Sequence, residues 1–324
     1  MNKNKNVNTC SELQTCIEKM HIEDSYLNKL PAVVREIAKD IGTEASPDHV
    51  GYPMIPSSDS MKEIVAIIET ILYPGYFGEQ EIEKSNVEFY LGNQINRLYK
   101  ILSRQFAKCL MHNCMKSGKK SCTECADAGK NEALKFIKKI PEIRKTLWGD
   151  IKAAYIGDPA AKGYEEIIFC YPGLKAISIY RAAHQMHIQS IPFLPRMMCE
   201  YAHANTGCDI HPGAKIGDNF FIDHATGVVI GETTVIGKNV RIYQGVTLGS
   251  LRFPKDKNGN IIRDKKRHPT IEDEVIIYAN ATILGGETVI GKGSIIGGNV
   301  WITESVPPHS RVVVEPEHQK ITVK

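Results

Sequence analysis

The chain has 324 residues, enough for two domains that each have their own core. A formal net charge of +3, from 40 Lys and Arg against 37 Asp and Glu, is too small to make nucleic-acid binding its main activity. No apolar run approaches the roughly 18 residues that would cross a bilayer, and 9 cysteines without an export signal read as reduced thiols of a cytoplasmic protein.

The opening MNKNKNVNT is polar with no apolar core behind it, so residues 1–20 read as disordered rather than as a secretory leader. Up to about residue 205, apolar residues recur at three- and four-residue spacing. They do so in 62–72, 80–109, 131–140 and 174–186, punctuated by Pro74-Gly75, Pro141, Asp158-Pro159 and Pro172-Gly173. The pattern predicts an all-α domain over 1–205, closed by a helix near 196–205 after the bend at Pro192 and Pro195. Cys109, Cys114, Cys122 and Cys125 cluster within it, and Cys122 and Cys125 have the spacing of half a zinc site. The remaining cysteines lack a matching pair, so thiols in a helix–helix turn are expected, and no metal.

From Ile210 onward the period changes to six. Ile216, Ile222 and Val228 are in step. After a two-residue slip come Ile230, Ile236, Ile242 and Leu248, then Ile271, Ile277 and Ile283, then Ile290, Ile296 and Ile302. Gly217, Gly231, Gly237, Gly291 and Gly297 each follow one of these residues. A period of six fits a parallel β-helix, in which each hexapeptide is one side of a triangular coil. The aliphatic residue fills the prism, and glycine takes a corner that a Cβ would obstruct. The coils are predicted over 206–306, ending at Pro307-Pro308 with a loosely held tail over 307–324. The period fails between Leu248 and Ile271, where a basic insert over 250–268 is expected to protrude from a corner as a loop.

Three short runs carry groups that a stacking scaffold does not need. They are Asp209-Ile-His-Pro-Gly, Asp223-His-Ala-Thr-Gly at the phase slip, and Arg267-His-Pro at the end of the insert. A histidine at a slip leaves the inward–outward alternation and can face a groove. A carboxylate from a neighbouring rung, such as Asp209, could fix the tautomer of His224 and leave its other nitrogen to accept a proton.

Those runs, with Gln244-Gly-Val-Thr-Leu-Gly, the longer stretch Asp223 to Thr233 and Gly157-Asp-Pro-Ala-Ala, resemble the motifs of serine O-acetyltransferases from about Asp150 to Pro308. The resemblance implies a left-handed coil, a hand that parallel crossovers normally avoid. It also implies transfer of acetyl from acetyl-CoA to the hydroxyl of L-serine, with no covalent enzyme intermediate. In that reading His224 is the general base and Asp209 orients it. Arg267 takes the serine carboxylate, and Asp158 and Asp223 hold the ammonium. His268 sits by the carboxylate or the developing oxyanion. Backbone N–H groups near Gly249 and Ser250 donate to the thioester oxygen.

The CoA arm would follow the small residues Gly249, Ser250, Ala279, Gly285 and Gly297, while Lys265 and Lys266 of the insert attract its nucleotide. The resemblance further implies a homotrimer, with a dimer of trimers left open, and feedback by L-cysteine at the serine site. Here the sequence closes on Lys324, where the family's docking on O-acetylserine sulfhydrylase uses an isoleucine, so that complex is not expected in its usual form. Two rival β-helix chemistries fit less well. A sugar or antibiotic acetyltransferase leaves the zwitterion-matched Arg267, His268, Asp158 and Asp223 unexplained. A zinc lyase would need a His-x₄-His step, which the sequence lacks.

Overall fold

The computed structural model describes residues 27–43, 48–50, 55–78, 81–116, 124–253, 255–263 and 265–314. The expectations for residues 1–20, Cys122 and the C-terminal residue fall outside these. The chain divides into two compact units, Met1–Pro53 and Met54–Lys324. The first contains α1 (Leu30–Ala38), whose residues are all exposed.

Among the described residues of the second unit, α2 (Ser58–Leu72), α3 (Val87–Lys116), α4 (Glu124–Gly157), α5 (Tyr164–Cys170), α6 (Pro172–Ile188) and α7 (Leu194–Thr206) precede fourteen short strands. Ser57 caps α2 by accepting the Ser60 N–H. α3 and α4 pack closely because Gly129 has no Cβ, which would stand 2.7 Å from the Ala107 nitrogen. α6 is the central helix, with Leu174, Ile177, Ile179, Tyr180 and Met186 all buried. Pro141, read as a break, instead lies inside α4. An interior proline costs about 3 kcal/mol, but Phe136, Ile140, Ile143, Leu147 and Ile151 bury one continuous stripe across it. That burial outweighs the lost hydrogen bond.

The strands form three parallel sheets, in the orders β1-β4-β7-β10-β13, β2-β5-β8-β11 and β3-β6-β9-β12-β14. These are the three sides of a left-handed β-helix. Its registers stack Ile210, Ile230, Leu248, Ile283 and Ile302 up the first side. Ile216, Ile236, Ile271 and Ile290 stack up the second. Ile222, Ile242, Ile277 and Ile296 stack up the third. Every one of these is buried except half-buried Ile216. The coil does not stop at Pro307-Pro308, because β14 (Arg311–Val312) pairs with β12 (Ile295–Ile296) beyond them. A proline lacks a donor but not an acceptor, and here the Pro307 carbonyl accepts from Ser294 Oγ at 2.9 Å. The insert leaves the prism between β7 (Thr247–Gly249) and β8 (Thr270–Ile271) and folds back through a Lys255–Ile261 bridge.

The helices are tied to the first coil. Arg181 of α6 donates to both oxygens of buried Asp150 on α4, at 2.6 and 2.9 Å. It also reaches the Gly217 carbonyl at 2.9 Å, while the Phe220 N–H donates to Asp150 at 2.9 Å. Gly207, in the left-handed region at φ 70°, ends α7 and leads into β1 (Asp209–Ile210).

Candidate active site

The polar groups singled out in the sequence collect on two edges of the prism, which flank the sheet β1-β4-β7-β10-β13. The first edge contains the turn between β3 (Phe221–Ile222) and β4 (Val229–Ile230), two residues longer than a regular corner. His224 and Ala225 hold φ 57° and 64° in succession. Side-chain-bearing residues avoid this region at a cost of about 1 kcal/mol or more each, and such strain concentrates at functional sites. It turns the imidazole outward, with 68% of the side chain exposed and Nε2 at 3.7 Å from the Asp223 carboxylate.

Two glycines bring the helical layer to this turn. A Cβ on Gly157 would stand 2.7 Å from the Phe221 ring, so the end of α4 lies flat on β3, and the Gly157 carbonyl accepts from Arg241 Nη1 at 3.0 Å. A Cβ on Gly173 would run into the Ile222 carbonyl, so α6 starts directly against β3. Asp158 and Tyr171, one residue past α4 and one before α6, therefore meet beside Asp223 and His224. The Tyr171 hydroxyl donates to Asp158 Oδ2, and the Ala160 N–H donates to Oδ1 at 2.8 Å. These two bonds, the tyrosine's first, hold Asp158 below the usual carboxylate range, and the charge of His224 favours the same direction.

The second edge is the corner after β4, covered by the end of the insert. Arg267 Nη2 donates to Glu232, and Nη1 donates to the Arg263 carbonyl at 2.9 Å. His268 is buried, its ring pressed on Gly231 where any Cβ would collide. Burial first, then the Arg267 cation, lowers it to about 4. Its tautomer follows from the hydrogen bonds. Thr233 Oγ1 accepts from the N–H groups of Arg267 and His268 at 2.9 and 3.1 Å, so its own proton points to His268 Nδ1 at 2.9 Å. The Thr233 N–H also donates to Nδ1 at 3.1 Å. The neutral ring must carry its proton on Nε2, which makes His268 a hydrogen-bond donor rather than a base.

His211 stands beside this edge with Nδ1 accepting the Gly213 N–H at 3.0 Å, and burial lowers it also to about 4. Lys266 is bound to the carbonyls of Thr233 and His268 at 3.0 and 2.9 Å, so it braces the insert although it is exposed, as Lys265 is.

Of the residues expected together, Asp158, Asp223 and His224 meet on the first edge, and Arg267 and His268 on the second. Asp209 lies one rung below the first-edge turn, where its N–H donates to the Val228 carbonyl at 2.8 Å and its carboxylate stands 3.9 Å from Arg196. Arg196 also pairs with Glu200, which places its cation where Glu200, His203 and Asp209 approach one another. The small residues divide in the same way. Gly249, Ser250 and Gly285 stack on the second edge, where the Gly285 N–H donates to the Gly249 carbonyl at 3.1 Å. Ala279 and Gly297 lie up the first edge, above His224. Cys109, Cys114 and Cys125 lie on α3 and α4 themselves, with Cys114 and Cys125 sulfurs 3.4 Å apart.

Three participants escaped the sequence reading. Tyr171 belongs to none of the motifs, and Glu232 and Thr233 appear only within the stretch Asp223 to Thr233. Nothing local in the sequence signals their partners, which come from residues 13, 35 and 34 positions away.

No family model matches the chain. The plasmid serine acetyltransferase of Synechococcus elongatus is 46% identical over 261 residues, covering 80% of this chain and 81% of that protein. The serine acetyltransferase of Bacillus subtilis is 46% identical over 172 residues, covering 53% and 75%. Among solved structures, Entamoeba histolytica serine acetyltransferase 1 in complex with L-cysteine is similar with a TM-score of 0.66 and 34% identity, over 81% of this chain and 88% of that one. The Neisseria gonorrhoeae serine acetyltransferase in complex with serine follows at 0.50 and 27%, over 83% and 98%. No described helix is long and apolar enough to cross a membrane.

Proposed function

The chain belongs to the serine acetyltransferase family, and from that premise we propose that it moves acetyl from acetyl-CoA to the hydroxyl of L-serine in the cytoplasm, at a site assembled from two chains. The observation that carries this reading is the division of the polar groups between two edges. One side of the prism, about six extended residues, spans roughly 15–20 Å, several times the length of a small amino acid. A base on one edge and a carboxylate receptor on the other can act on one serine only if a second copy of the chain brings its Arg267 edge against the first copy's His224 edge. Three copies arranged this way close into a ring and leave no edge unmatched.

In the assembled site, Asp158 and Asp223 hold the serine ammonium, and Arg267 exchanges Glu232 for the serine carboxylate. His224 removes the hydroxyl proton as the oxygen attacks the thioester carbonyl. When the C–S bond breaks, His224 returns that proton to the CoA sulfur, so acetyl-CoA and serine become O-acetylserine and CoA with no residue left changed. His268, fixed as a neutral Nε2–H donor, stabilises the oxyanion of the tetrahedral intermediate. Asp209, one rung below the turn that carries His224, would orient the imidazole. The pantetheine arm runs past Ala279 and Gly297 of one chain and Gly249, Ser250 and Gly285 of the next. L-cysteine has the same charged ends as serine and fits the same clamp as an inhibitor.

The test is CoA release dependent on L-serine, with galactosides and homoserine as controls. The wild-type chain should release CoA with serine alone, and His224→Ala should lose about 10²–10⁴-fold in kcat, the usual worth of a positioned base. Equal release with galactosides, or full activity of His224→Ala, would overturn the assignment.

A further inference from the structure

We propose that Tyr171 is a positioning residue for the reaction: its hydroxyl aims the Asp158 carboxylate at the serine ammonium. This rests on the function proposed above, and it adds a residue that the family motifs quoted from this sequence do not include.

Asp158 stands in a position that would otherwise leave it loose. It follows the last residue of α4, precedes Pro159, and belongs to no regular element. Two bonds fix its carboxylate plane. The Ala160 N–H takes Oδ1 in a local turn, which on its own lets the group pivot about that contact. The Tyr171 hydroxyl takes Oδ2 from another part of the chain, and two anchors on two oxygens set both plane and direction. Each oxygen keeps a lone pair for an ammonium, so the phenol orients the acid without saturating it.

Tyr171 is itself firmly placed. It is the residue before α6, whose first turn presses on β3 through Gly173, and its backbone N–H donates to the Ile167 carbonyl at 3.2 Å. Its ring lines a cavity of about 230 Å³ together with Phe77, Phe169 and Leu174, opposite polar residues that include Glu69, Lys175 and Ser178. Burial first, then the bond to Asp158 and the negative charges of Asp158, Glu166 and Asp223, raise the phenol above its ordinary value. It therefore stays protonated and remains a donor wherever the enzyme works. The charged or titratable groups facing this pair are Asp223, His224 and Glu166.

The experiment compares wild type, Tyr171→Phe, Asp158→Asn and the double variant in the full-length protein. Phenylalanine keeps the cavity wall and removes only the donor. Tyr171→Phe should raise the KM for serine about tenfold, as expected for a hydrogen bond to a charged group. It should leave the KM for acetyl-CoA unchanged. In the Asp158→Asn background the second substitution should add nothing. An unchanged serine KM, an equal rise in the acetyl-CoA KM, or a full additive penalty in the double variant would each overturn the proposal. A wild-type protein without serine-dependent CoA release would instead overturn the functional reading on which it rests.

Discussion

His268 shows how one side chain receives its role from its surroundings. An exposed histidine exchanges its proton near 6.5, but this one is shifted to about 4 by burial and by Arg267. Between those values the unfolded chain binds more protons than the folded one, so stability falls as pH drops from about 6.5 towards 4 and is intact above 6.5. His211 contributes in the same sense. Glu232, held low by Arg267 despite the opposing effect of burial, adds a loss at still lower pH as it is protonated. The thermal midpoint should therefore decline steadily through this window, and His268→Gln should flatten the decline. A midpoint independent of pH from 7 to 4.5 would show that the ring is not held neutral as the geometry requires.

At the scale of the element, the glycines that follow the aliphatic residues serve close approach rather than unusual backbone angles. Gly217, Gly231, Gly237, Gly291 and Gly297 are absent from the positive-φ positions, which Asn219, Asn239, Asn280 and Asn299 occupy at other points of the corners. A Cβ on Gly217 would stand 2.6 Å from the Gly237 carbonyl of the next rung. Gly231 is different, because the atom it makes room for belongs to the His268 imidazole rather than to the scaffold. Gly231→Ala should therefore displace His268 while the coils, held by the aliphatic stacks, stay folded. The expected outcome is a fall in kcat of about 10²-fold, the scale of a lost oxyanion donor, with an unaltered circular dichroism spectrum. Retained activity would place His268 outside the reaction.

For the whole molecule, the decisive feature is that one chain holds His224 and Arg267 on different edges of the prism, so that under the proposed assembly the reacting groups meet between chains. His224→Ala and Arg267→Ala should each be inactive alone. Mixed in the same assembly, a chain with intact His224 can meet a neighbour with intact Arg267. Random mixing at equal amounts in a ring of three restores about a quarter of the interfaces. Recovery of activity on co-expression or on unfolding and refolding together checks this. Mixed assemblies that stay inactive would place the site within one chain.

The hexapeptide period was enough to identify the coil, its inward residues and the position of the insert, because a triangular prism demands an apolar residue at every sixth place and tolerates a loop only at a corner. The helical region was legible through its spacing, although Pro141 lies inside a helix because burial on both sides outweighs one hydrogen bond. His224, Asp223, Arg267 and His268 were visible as chemistry that a scaffold does not need. Their division between two edges was not, since sequence order does not show which corner a residue occupies. Tyr171, Glu232 and Thr233 were hidden for a related reason: their partners arrive from distant segments. Only the three-dimensional packing of α4 and α6 on β3, and of the insert on Gly231, brings those groups within hydrogen-bonding distance.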